Sequence, residues 1–168
     1  MAVIDDNGAQ STETVLIVVY DPDAGFATGG GWIIPGKQGN SDPGDYLPNI
    51  DGESKATFGF VVKYKKGVTE IPSDQLEFQY QVGDFNLHSG DYDWLVVTNT
   101  NWAKFQGLAT INGSEELYPF RADARDGDES QLDRFIIKIW APGANPDVDA
   151  LIYKASGDLG GGNIVIHK

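Results

Sequence analysis

The sequence predicts an all-β protein, an antiparallel β-sandwich or barrel of jelly-roll-like type with about ten short strands. Three observations predict it. Apolar and polar residues alternate with period two in run after run, the pattern of strands with one buried and one wetted face. The 21 glycines fall mostly between those runs, where turns are needed. Apolar residues almost never recur at the three- and four-residue spacing of a helix face over ten residues.

The elements follow in order. Val3 to Gly8 and Thr12 to Tyr20 read as a hairpin, an abbreviated strand joined to a β-branched one through Asp5-Asp6-Asn7-Gly8. Residues 21–28, with Asp21-Pro22-Asp23-Ala24-Gly25, read as a linker. The module proper spans 29–168. Gly29-Gly30-Gly31-Trp32-Ile33-Ile34 is a strand entered through glycines, and Gly36 to Gly52 a long loop. Phe58, Phe60, Val62 and Tyr64 share one face of the next strand. Leu76, Phe78, Tyr80 and Val82 point inward from the one after, opposite Glu77, Gln79 and Gln81. Phe105, Gly107, Ala109 and Ile111 form another inward face, which ends at the Asn112-Gly113 turn signal. Phe120, Ala122 and Ala124 oppose Arg121, Asp123 and Arg125. Phe135, Ile137 and Ile139 oppose Arg134, Ile136, Lys138 and Trp140. Strands over Val148 to Lys154 and Asn163 to His167 complete the set.

Phe85 to Val97 gathers His88, Ser89, Asp91, Asp93 and Trp94, and invites a catalytic reading. It reads as a hairpin, with Ser89-Gly90-Asp91 as the turn and Tyr92 and Trp94 packed inward. Adjacent strand residues face opposite ways, so His88 and Ser89 are poorly placed to pair as a triad requires, and no nucleophile elbow surrounds Ser89. No carboxylate pair stands out for glycoside hydrolysis. The expectation is no catalytic residue, with a hydrolase as a distant alternative.

The formal charge of −13 repels phosphate backbones, so nucleic acid is not an expected partner. The chain has no cysteine, which excludes disulfides and thiolate chemistry. No apolar run approaches the roughly 20 residues of a membrane helix, so no membrane span is expected. No basic segment followed by an apolar one opens the sequence, so no signal peptide is expected. An acidic surface attracts Ca²⁺, which takes six to eight oxygen ligands. The expected calcium ligands are Asp123, Asp126, Asp128, Glu129 and Asp133, around the acidic loop between two strands. Sugar recognition stacks exposed aromatic rings on sugar faces. Of the four tryptophans, Trp102 and Trp140 lie near loops or polar neighbours and are the expected ligand-binding rings, whereas Trp32 and Trp94 are assigned to the core.

Two resemblances add to this reading. Residues 1–20 resemble the last hairpin of a PKD domain, an Ig-like sandwich of secreted bacterial proteins, and so the tail of a preceding domain. From Gly29 onward the chain is similar to an all-β module found near the ends of large secreted bacterial proteins after PKD or other Ig-like repeats. The motifs that carry it include Thr57-Phe58-Gly59-Phe60, Lys63-Tyr64-Lys65-Lys66-Gly67, Tyr92-Asp93-Trp94-Leu95-Val96-Val97, Arg134-Phe135-Ile136-Ile137-Lys138-Ile139-Trp140 and Gly160-Gly161-Gly162-Asn163-Ile164-Val165-Ile166-His167-Lys168. The resemblance implies a secreted or cell-surface bacterial setting with neighbouring domains in the same chain. With the residues, it leads to a non-catalytic structural or adhesive module stabilised by Ca²⁺. The alternative is a carbohydrate-binding module whose partner is a polysaccharide or cell-surface glycan.

Overall fold

The alternating runs form strands, as their period requires. The computed structural model describes residues 25–37, 52–63 and 75–168, with the backbone of two further short strands. Those two, β1 (Ala2–Ile4) and β2 (Gln10–Thr12), pair antiparallel as a separate ribbon. A hairpin therefore stands in the first 20 residues, but its second described strand is Gln10–Thr12. The β-branched run from Thr14 to Tyr20 and the stretch 21–24 lie outside the described residues.

The remaining strands are β3 (Phe26–Ile33), β4 (Ala56–Lys63), β5 (Leu76–Tyr80), β6 (Phe85–Val97), β7 (Trp102–Ile111), β8 (Tyr118–Arg125), β9 (Arg134–Ile139), β10 (Tyr153–Asp158) and β11 (Gly161–His167). They form one antiparallel sheet of nine strands in the order β10-β9-β8-β7-β6-β5-β4-β3-β11. The all-β class holds. Within it, eight strands run as an up-and-down meander without the crossed connections of a jelly roll, and the ninth returns to the far edge. β3 begins at Phe26, three residues inside the stretch expected as linker.

That order forces the sheet to curl. Laid flat, nine strands would separate β10 from β11 by about 38 Å. Asp158 and Gly161 are only three Cα steps apart, at most about 11 Å. The two edges therefore come together, and the sheet closes on itself as a barrel-like wall.

Phe85 to Val97 supplies part of the bending. It is one 13-residue strand rather than a hairpin, with register shifts between Ser89 and Asp91 and between Tyr92 and Trp94. Gly90 and Asp93 are the extra residues of two β-bulges, which bend and twist a strand. Between the two bulges Gly107 pairs with Tyr92, and a Cβ there would strike the Asp91 carbonyl. The second bulge inverts the alternation. Tyr92 and Leu95 point inward, while Trp94 faces out opposite Gln106. Placing Trp94 beside Tyr92 in the core is therefore corrected. Val82 is corrected too: β5 ends at Tyr80, a 3₁₀ turn covers Gln81–Gly83, and Val82 is exposed.

The barrel interior is filled with rings. Phe135 on β9 stacks on Phe58 of β4, centroids 4.0 Å apart and planes 6° apart. Phe60 and Phe78 also stack on Phe135, and Phe105, Phe120 and Tyr92 complete the cluster in tilted and edge-on contacts. Gly29, directly across from Phe60, leaves the space that this ring occupies; a Cβ there would lie 2.6 Å from the ring. At one end Tyr153 stacks on Phe85, ring centroids 4.1 Å apart and planes 12° apart. Burial pushes the Tyr153 phenol well up, with nearby Tyr80 adding to it. Its hydroxyl finds no hydrogen-bond partner among the described residues. A buried donor without a partner costs free energy, so Tyr153→Phe is expected to raise stability by about 1 kcal/mol. A thermal melt that falls instead would show that the hydroxyl is bonded.

Candidate functional site

The acidic loop between β8 and β9 turns out to be where the barrel closes. β11 pairs with β3 along one edge, which leaves alternate amides of its other edge pointing at the seam. Two of them are met by carboxylates. Asp133 Oδ2 accepts from the Ile164 amide at 2.6 Å, and Asp126 Oδ2 accepts from the Ile166 amide at 3.0 Å. The other Asp133 oxygen accepts from the Gly127 amide at 2.8 Å. The Asp133 carbonyl also receives the Leu159 amide at 2.8 Å. Lys168 adds a last tie, donating to Asn99 O and Asn101 Oδ1. Side chains here do the work that a neighbouring strand does elsewhere in the sheet.

The five expected calcium ligands are not gathered as one set. Among the described residues, no three His, Asp or Glu side chains group around a possible ion. Asp126 and Asp133 are turned to the seam. Asp123 faces outward from β8 and pairs with Lys138 at 3.1 Å. Glu129 is exposed at the loop tip. Asp128 Oδ1 accepts from the Ser130 hydroxyl and amide and from the Gln131 amide, closing a tight turn on itself. Melting with and without EGTA tests the calcium expectation directly: a drop places a stabilising cation on the folded state, and an unchanged melting temperature removes it.

The Asp128 turn has its own pH signature. The Ser130 hydroxyl, then its amide, holds the carboxyl below the ordinary carboxylate value. A depressed folded value means that this contribution is present above the unfolded value and is lost as pH falls through the folded one. Ser130→Ala should let the Asp128 carboxyl climb back toward its ordinary value, which a carbon-detected NMR titration reads directly. No change would show that the hydroxyl is not the cause.

The tryptophans are also placed differently from expectation. Trp140 is 4% exposed, so its assignment as an open ring is corrected. Its indole N–H donates to Asp149 O at 3.0 Å, because the β9–β10 loop folds over it. Trp102 is half-buried beneath Arg125, whose guanidinium lies 5.5 Å from the ring centre. The two rings do not share a surface. Trp102 neighbours the Asp126 loop through Arg125, and Trp140 follows the far end of β9, about 20 Å away along six residues. Trp94 and Trp140 both flank Arg121, which donates to Gln106 and Asp147 at 2.6 Å each. Lys55 lies 3.9 Å above Trp32. Each indole is thus covered by a cation.

The sequence reading missed an open groove on the outer face of β4, β5 and β6. It has a volume of about 510 Å³ and is lined by Gly59, Val61, Gln75, Glu77 and His88 among others. Gly30 and Gly59 lie directly across from each other, and Glu77 and His88 continue the same row. His88 Nδ1 is 3.5 Å from Glu77 Oε1, both side chains largely exposed. Ser89 faces the core, where its hydroxyl accepts from the Leu76 amide. His88 and Ser89 point opposite ways, as strand geometry dictates.

No family model matches the chain, and neither a curated protein nor a solved structure matches it. Among the described residues, no helix is long and apolar enough to cross a membrane.

Proposed function

We propose that the chain is a non-catalytic structural or adhesive module of a secreted or cell-surface multidomain protein, carried as a pendant head. One observation carries this reading. The first and last strands of the barrel, β3 and β11, are antiparallel neighbours, so the chain enters and leaves at one point. Phe26 and His167 mark that point, their rings stacked 4.0 Å apart. Tension between neighbouring domains, such as a preceding Ig-like hairpin, would unzip β3 from β11 pair by pair. A unit tethered this way suits display better than load-bearing in line, and termini side by side suit a domain hung from a longer chain. Beads coupled through the Lys168 end should be retained on polysaccharide or cell-wall coatings, and beads bearing heat-unfolded chain should wash off. Retention on no coating, or release of soluble sugar by the free chain, overturns the reading.

Carbohydrate binding is the second reading, and the Gly59–Glu77–His88 groove favours it. Glycines in a strand interior weaken it and often mark a surface that a ligand approaches closely. Carboxylate, amide and imidazole groups around that floor suit sugar hydroxyls. On this reading a glycan quenches or shifts Trp32 emission and His88→Ala lowers its affinity. A broad glycan panel without any fluorescence response removes it.

A further inference from the structure

The side of the barrel away from the tether carries a second feature. In a meander the β5–β6, β7–β8 and β9–β10 connections all lie at one end. Six large aliphatic side chains are exposed among the described residues, and four sit on these three connections. They are Val82 at 53%, Leu117 at 47%, Val148 at 77% and Ile152 at 47%. Scattered exposed aliphatics are ordinary, but their collection at one end is not. The other two, Val61 and Leu132, lie elsewhere.

Hydrogen bonds brace these connections. Asn112 donates to Asp84 O at 2.7 Å and accepts from the Asn86 amide at 2.8 Å, joining the first loop to the second. The Trp140 amide donates to Pro119 O at 3.0 Å, and Arg121 holds Asp147, tying the third connection to β8. Within the third loop, Asp149 accepts from the Asn145 amide at 2.7 Å. The aliphatic groups are therefore presented on fixed loops.

Their charge is one-sided. Residues 81–84, 112–117 and 141–152 contain Asp84, Glu115, Glu116, Asp147 and Asp149, and no Lys or Arg. All five acids are exposed. The lysines of the same end, Lys37 and Lys55, belong to the β3–β4 connection, and Lys55 is drawn over Trp32.

We infer that this acidic, aliphatic tip is a docking surface for a basic protein segment that bears apolar side chains between its lysines or arginines. The inference rests on the pendant reading, which leaves this end free of the tether. Charge decides the partner class. Arg121 neutralises Asp147, which leaves Asp84, Glu115, Glu116 and Asp149 to set the sign of this end. Anionic lipid and nucleic acid are repelled by those four carboxylates, whereas a basic segment gains steering and places its apolar groups on Val148, Ile152 and Leu117.

A fluorescein-labelled peptide of alternating lysine and leucine, titrated by anisotropy at physiological salt, tests this chemistry. Val148→Ser with Ile152→Ser should weaken binding at least tenfold, and Glu115→Lys with Glu116→Lys by a similar factor. Glu129→Lys, at the opposite end, should change it less than twofold. These residues are exposed, and unchanged circular dichroism melts confirm that the variants fold. Equal weakening by Glu129→Lys means attraction to overall charge and overturns the proposal. So does an unaffected Val148/Ile152 variant, or no binding by the parent chain. Bead retention that fails while the peptide still binds the tip sinks the adhesive reading alone.

Discussion

Asp133→Ala is expected to lower stability by about 3 kcal/mol, the largest loss from any single exposed or half-buried position. The carboxylate accepts two amides, from Gly127 and Ile164, and it is partly buried. Hydrogen bonds to a charged acceptor are each worth about 1.5–3 kcal/mol, and partial exposure sets the lower half of that range. For a chain of this size the melting temperature should fall by about 10 °C. Asp133→Asn keeps one acceptor oxygen but turns an N–H₂ toward the other amide, so it should recover at most half. Asp126→Ala removes one bond, to Ile166, and should cost about half as much. Hydrogen exchange separates this mechanism from general destabilisation. The Ile164 amide should exchange faster under conditions where β7 amides stay protected. A variant that melts within a degree of the parent would mean that the seam is held by something other than these carboxylates.

The acidic loop also shows what a sequence can and cannot disclose. Asp126, Asp128 and Asp133 were visible as a cluster, and a cluster of acids reads as cation ligands. The alternative, carboxylates standing in for a missing strand, depends on which edge of β11 is left unpaired. That follows from the pairing of Ile164 with Gly29, 135 residues away in the chain, and no local pattern carries it. Trp140 fails for a related reason. Its alternation with Lys138 on β9 put it on the wetted face, correctly, but a loop of twelve residues then folds over that face and takes its N–H.

Local period-two patterning was reliable wherever a strand was regular. The inward faces of β4, β7, β8 and β9 are as the alternation predicts, because one buried face fixes the phase of the whole strand. It failed where a residue was inserted. The bulges at Gly90 and Asp93 look like turn chemistry in the sequence, since Gly and Asp serve both, and the shift they cause moved Trp94 from the core to the surface. Val82 was lost for the converse reason: alternation continued through a residue at which pairing had already stopped. Both kinds of error concern the surface, and so the groove at Glu77 and His88 and the aliphatic tip were not legible, while the core was.

Phe135→Ala should be the most damaging core substitution, costing about 3–5 kcal/mol. Phe135 is fully buried and stacks on Phe58, with Phe60 and Phe78 within 6.3 Å of its ring centre. Those three rings belong to β4 and β5, whereas Phe135 belongs to β9, four strands from β5 and five from β4 around the sheet. The ring therefore ties opposite walls of the barrel across its interior. Neighbouring rings are fixed by their own strands and cannot collapse into the space, so the cavity term adds to the lost transfer energy. Phe135→Leu keeps most of the volume and should cost less than half as much. Urea unfolding measures both. If Ala and Leu prove equal, the loss comes from aromatic stacking; if Ala costs under 1 kcal/mol, the walls are held by backbone pairing and the seam alone. The expected ratio makes the interior ring stack, with the Asp133 seam, one of two ties that keep a curled sheet from opening.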